Sequence, residues 1–200
     1  MRCSLLIPLL LIPAGLAAQD PVRATRVEPA RCALADSLLG PRVARATRGV
    51  QALYLAEQGQ SLVFSAAPGS LSTMAGVQAV TGLVRLPERG PVTDPALELT
   101  LRVFSDAERL PGTQWLRLVA DDVVLGDSLP LAIRRQEAPG LRRVYQTLTV
   151  PLTPVATVTL VRAGRVRGSV GGTDFTVERD ELRELRGIVV TALCGPRKPW

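Results

Sequence analysis

Histidine and asparagine are both missing from this 200-residue chain, and its single lysine, Lys198, sits between Arg197 and Pro199 beside the carboxyl end. Each absence removes chemistry. A serine or cysteine nucleophile has no imidazole to take its proton, and Lys198 is badly placed to replace one in a Ser-Lys dyad. Zinc needs His and Cys at ligand spacing. A phosphate-binding P-loop needs Gly-Lys-Ser/Thr and a dinucleotide fingerprint needs glycines two apart, and the chain has neither. Without asparagine there is no N-glycosylation acceptor. Aromatics are few, three Phe, two Tyr and two Trp, so the stacking platforms of a single-strand nucleic-acid binder are lacking. The expectation is no catalytic set, no metal, no cofactor and no specific nucleic-acid partner.

What is present is ordinary for a globular protein: 46% hydrophobic and 21% charged residues, a balance that argues against disorder and suits one domain. Residues 1–18 read as a signal peptide. Arg2 supplies a positive start, residues 5–16 are apolar, and Gly15-Leu16-Ala17-Ala18 offers small residues for cleavage. The run is too short to cross ~30 Å of hydrocarbon as a helix, and Pro8 and Pro13 weaken it further. Cys3 precedes the run and no cysteine directly follows it, so no lipid anchor is expected. No later stretch is long and uncharged enough to span a membrane. The chain is therefore expected to be exported to the periplasm or beyond, with no transmembrane span after signal removal.

Two cysteines then remain, Cys32 and Cys194, one near each end. In an oxidising compartment they are expected to form a disulfide, with burial as two unpaired small hydrophobes the alternative. Closing so long a loop contributes roughly 5 kcal/mol in the chain-entropy view, an upper figure. Such a bond is a staple, not a catalyst.

The formal net charge is +6. Two arginine-dense stretches stand out: Arg134, Arg135, Arg142 and Arg143 around one turn, then Arg162, Arg165 and Arg167. Arginine's planar fork suits carboxylate and phosphate, so these are candidate anion-binding residues and a polyanion is a candidate partner. The competing reading is a solvated surface. Scarce Lys, Asn and His beside abundant Ala, Arg, Leu, Val and Gly fits a GC-rich coding bias and a bacterial source.

Along the chain, residues 19–49 read as an extended amino-terminal arm with a short helix near 33–39, stopped by Gly40-Pro41. Residues 50–195 read as a β-rich domain ending in a helix, and 196–200 as a flexible tail. The clearest strand signal lies at 96–104, where Leu97, Leu99, Leu101 and Val103 alternate with Glu98, Thr100 and Arg102. Hairpins are expected at 50–56 with 61–65, at 115–120 with 123–125, and at 165–170 with 173–177. For 153–163 the β-branched Val155, Thr157, Val158 and Thr159 favour strand, although Pro154 suits a helical first turn. Residues 178–193 read as a helix, with Leu182, Leu185, Val189 and Ala192 on one face and Gly195-Pro196 closing it. The fold class is mainly β, an antiparallel β-sandwich of short strands with a C-terminal α-helix over an edge or an end of the sandwich; α+β is the alternative.

Gly126-Asp127-Ser128-Leu129 resembles the signature of the GDSL esterases and lipases, whose serine is the nucleophile. That family also needs a histidine base and an asparagine in its oxyanion hole, and carries the motif near its start. The segment is therefore read as a tight turn or bulge. Asp121, Asp122 and Asp127 could meet as a carboxylate pair or cation site, but turn aspartates are the simpler reading. Trp115 is read as a core or sandwich-end residue. These features point to an exported, non-enzymatic β-rich protein acting as a binding or structural envelope component, with another envelope or secreted protein as partner. The alternatives are binding of an anionic polymer or lipid head group through the arginines and, third, a carboxylate-based hydrolase.

Overall fold

The alternation at 96–104 has a direct structural result: Leu97, Leu99 and Leu101 are completely buried and Val103 nearly so, while Glu98 and Arg85 of the neighbouring strand form an ion pair of 3.7 Å on the opposite face. Each such buried leucine contributes about 1.5–3 kcal/mol, so this strand anchors the sheet around it. A computed structural model of the chain describes residues 24–55, 60–65, 76–86, 92–106, 115–137 and 143–195. The expected signal peptide (1–18), the first residues of the arm (19–23), the tail (196–200) and Arg142 lie outside the described residues.

The chain is mainly antiparallel β. The larger sheet comprises β1 (Thr25–Val27), β2 (Val50–Leu55), β3 (Gln60–Phe64), β4 (Gly76–Leu86), β5 (Glu98–Asp106), β8 (Ala132–Glu137) and β9 (Arg143–Pro151), in the order β1-β2-β3-β4-β5-β9-β8. The smaller sheet holds β6 (Leu116–Ala120), β7 (Val123–Leu129), β10 (Val166–Val170) and β11 (Thr173–Thr176), in the order β11-β10-β6-β7. All three expected hairpins form, β2–β3, β6–β7 and β10–β11. The inward faces of both sheets share one hydrophobic core with the helices.

Helix α1 (Ala33–Leu39) occupies the expected span. Gly40, at φ 82°, ends it, but Pro41 does not end helical structure: it opens α2 (Pro41–Arg45) at the first position, where a missing N–H costs nothing. Ala35, Leu39 and Ala44 of these helices are buried in the core.

Strand was the wrong expectation for 153–163. The segment is α3 (Pro154–Arg162), with the Thr153 hydroxyl accepting from the Ala156 N–H at 3.2 Å as an N-cap. Thr157, Leu160 and Val161 share its buried face. Burying that helical stripe, together with a cap and an N1 proline, outweighs a β preference of at most ~1 kcal/mol per residue. Thr157 also fills a role only this geometry offers, accepting from the Leu97 N–H at 3.0 Å.

Helix α4 (Arg179–Cys194) opens with a reciprocal capping box between Glu178 and Glu181 and closes on Gly195 at φ 79°. It lies on a sheet face, not over an edge or an end. A Cβ on Gly82 of β4 would come within 2.6 Å of Leu185 and 3.4 Å of Ile188. The helix crosses here because Gly82 leaves room for those side chains.

Cys32, just before α1, and Cys194, the last residue of α4, form the expected disulfide, with Cα atoms 5.5 Å apart at a sequence separation of 162. The Ala30 N–H donates to the Gly195 carbonyl at 3.3 Å beside it, so the arm and the last helix are joined twice. No described helix is long and apolar enough to cross a membrane.

Candidate functional site

The smaller sheet has one face committed to the core: Leu116, Leu118, Ala120, Val166 and Val170 are all essentially buried. The pleat then turns the intervening residues outward. Arg117 and Val119 of β6, Val124 of β7, Arg167 and Ser169 of β10, and Asp174 and Thr176 of β11 line an open groove of about 640 Å³, with Asp122 at one end. The register fixes who faces whom: Val119 lies opposite Arg167 and Val124, and Ser169 opposite Arg117 and Asp174.

Trp115 directly precedes β6 and continues this outward series. It is 57% exposed, which removes the core half of the expectation and leaves it as a residue at the end of its strand. With Leu116, Leu118 and Ala120 taking the inward positions, the alternation leaves it no inward place. Val123 and Val124 at the opposite end of the hairpin are about half exposed as well.

The groove carries mixed charge. Arg117 pairs with Asp127 at 3.1 Å, both well exposed, an arrangement contributing ~0–1 kcal/mol. Among the described residues, Arg167, Asp122 and Asp174 have no ion pair. Nothing in the groove is a concentrated basic patch.

The arginine candidates are dispersed. Arg134 and Arg135 stand on β8, the edge strand of the larger sheet, and Arg143 opens β9. Arg162 closes α3 and Arg165 follows it, both exposed. Among the described candidates, Arg167 alone lines the groove. Arg117, its partner there, has no arginine neighbour in sequence; its outward alternation in β6 was the available signal.

The Gly126-Asp127-Ser128-Leu129 segment lies within edge strand β7, where the register to β6 slips between Leu116 and Leu118. It is a bulge, as expected, and a Cβ on Gly126 would meet the Leu129 side chain at 2.5 Å. Of the three aspartates, Asp121 is occupied structurally. Its carboxylate accepts from the Gly164 N–H at 3.1 Å and the Arg165 N–H at 2.9 Å, and Asp127 is held by Arg117. Among the described residues no three Asp, Glu, Cys or His gather as metal ligands.

The perturbed ionisable groups lie on α4 instead. Glu181 is pushed upward by burial, opposed by hydrogen bonds from the Val80 and Glu178 N–H groups. Glu184 is also raised by burial, with Arg48 pulling the other way. Burial lowers Arg186, with Arg183 adding to the effect and Asp121 opposing it. All three have structural partners: Glu181 accepts from Val80 at 2.8 Å, Arg48 lies 4.0 Å from Glu184, and Arg186 donates to the Val161 and Ala163 carbonyls at 2.8 and 2.7 Å. These contacts join α4 to its neighbours and lie apart from the groove lining. No known protein family, curated protein or solved structure matches this chain.

Proposed function

We propose that this chain is an exported, non-enzymatic binding protein of the cell envelope that engages another protein through the outward face of its smaller sheet. The observation that carries this reading is Trp115, 57% exposed and in line with Arg117 and Val119 above the groove. Tryptophan and arginine dominate the few residues that supply most of an interface's binding energy. An exposed tryptophan beside two arginines and two valines offers such anchors with a polar rim.

Strand β7 adds a mode of contact. It is the last strand of its sheet, so an extended partner segment laid along 123–126 would continue the ladder by main-chain hydrogen bonds and set its side chains over Val124. The bulge at Asp127-Ser128 would limit that register. The disulfide and the apolar amino-terminal stretch support the exported location. The carboxylate-hydrolase alternative loses support, since Asp121 and Asp127 are both engaged.

The test is affinity capture from envelope extract with the mature protein, its Trp115→Ser and its Val124→Lys variants, washed at low and high salt. The expected result is one stoichiometric protein retained by wild type through high salt and lost by both variants. Equal retention by all three overturns the proposed surface. Recovery of only anionic polymer or lipid, released at high salt, transfers the function to the arginines.

A further inference from the structure

We propose a phosphate-binding site on the outward face of the larger sheet, built on Arg102 and Arg134. Residues directly opposite in an antiparallel pair point their side chains to the same face. Arg102 of β5 lies opposite Thr147 of β9, and Thr147 lies opposite Arg134 of β8. The three make one row across three strands. At about 4.8 Å per strand, the two arginine backbones stand roughly 10 Å apart with a hydroxyl between them, a gap that two arginine side chains close on one anion.

The rows on either side fit that chemistry. Thr100 and Thr149 face each other with their hydroxyl oxygens 3.5 Å apart, adding donors. On the other side the Tyr145 ring stacks on Phe104, centroids 4.4 Å apart, forming a rigid wall between the row and the backbone position of Asp106. Among the described residues neither Arg102 nor Arg134 has a carboxylate partner, whereas Arg85 and Arg117 do. Along β5, Glu98 and Asp106 each lie four residues from Arg102, and Glu98 is paired with Arg85. Among the described residues this row, unlike the groove, holds cations without counter-charges.

Two guanidinium forks flanking a threonine hydroxyl present donors from three directions. A carboxylate offers two oxygens to such a set, while a phosphomonoester offers three. Arg102 is half-buried, so its charge is less screened than that of a free surface arginine. The sequence marks Arg134 as basic but places Arg102 32 positions away; only the strand register joins them. This site is on a different sheet from the proposed protein-contact face, and either can fail without the other.

The experiment is titration calorimetry of the mature protein with inorganic phosphate, with acetate as comparison. Co-sedimentation with vesicles containing phosphatidic acid is run alongside, with neutral phosphatidylcholine vesicles as control. Wild type, Arg102→Gln, Arg134→Gln and Arg162→Gln are compared after matching thermal melts. Phosphate binding above acetate that falls about tenfold or more in the first two variants and holds in Arg162→Gln supports the site. Binding to free phosphate and to vesicles then identifies the phosphate group itself as the ligand, and binding to vesicles alone identifies a lipid headgroup. Absence of binding to both probes overturns the proposal. So does unchanged affinity in Arg102→Gln and Arg134→Gln, or an equal loss in Arg162→Gln, which would mark a nonspecific basic surface.

Discussion

Arg186 and Asp121 grip the same connection from opposite sides. The guanidinium of Arg186 donates to the Val161 and Ala163 carbonyls at the end of α3, while the Asp121 carboxylate accepts from the next two N–H groups, Gly164 and Arg165. One cation and one anion thus satisfy four backbone groups within residues 161–165, where α3 turns into β10. This grip positions β10 and, with it, Arg167 and Ser169 in the groove.

Arg186→Ala should therefore lower unfolding stability by about 1–3 kcal/mol, because two partly buried carbonyls lose their donors. Arg186→Lys should recover only part of it, since an ammonium lacks the fork that reaches both oxygens. Urea denaturation of the three proteins measures this. A midpoint for Arg186→Ala equal to wild type would show the grip to be energetically idle.

At Asp121 two effects coincide. The residue loses two acceptor contacts on truncation, and its φ of 51° is a conformation in which Asp and Asn are tolerated better than Ala. Asp121→Ala is expected to cost about 1–3 kcal/mol, and Asp121→Asn distinctly less. Thermal melts that rank Asn below Ala would contradict this account.

The pH dependence follows from Glu181 and Glu184. Burial raises both above the ordinary value of 4.5, so the folded state holds their protons more tightly than the unfolded chain. That contribution is complete below 4.5 and is lost as pH rises through the folded-state values. Wild type should accordingly gain stability from these groups as pH falls from neutral toward 4.5, and Glu184→Gln should flatten the trend. Melting temperatures across that range decide it; a slope in Glu184→Gln matching wild type would reject the assignment.

Removing the disulfide with paired Cys32→Ser and Cys194→Ser replacements should cost about 2–5 kcal/mol. The secondary structure should persist, because the Ala30–Gly195 hydrogen bond and the core contacts of Ala35 and Leu39 remain. Guanidinium denaturation with circular dichroism tests both halves of the statement.

Gly187, the single glycine of α4, is expected to resist replacement. A Cβ there would run into the Arg48 carbonyl oxygen, which is backbone and has little freedom to retreat. Despite alanine's better helix propensity, Gly187→Ala should destabilise by about 1–3 kcal/mol. A neutral or stabilising effect in a thermal melt would mean the α4–β2 approach is looser than described.

Period-two alternation around β5, turn residues between the hairpins, and the amphipathic face of 178–193 are local signals, and they were enough to read a mainly antiparallel β chain closed by a helix. The disulfide followed from counting cysteines. Residues 153–163 were misread because β-branched propensity is a weak preference, overridden once Thr153 caps a turn and Leu160 and Val161 find a core to bury against. Trp115 is no core residue because aromatic burial is a statistical tendency, whereas the pleat obeys geometry.

The sequence alone shows no histidine and one lysine, so an imidazole-assisted nucleophile and a P-loop lack their residues whatever the fold. Which charged residues meet was decided only by tertiary structure. Cross-strand register brings Arg102 and Arg134 into one row on either side of Thr147 and sets Arg117 opposite Ser169, and it separates arginines that are neighbours in sequence. Register depends on every strand between them, so no local pattern encodes it.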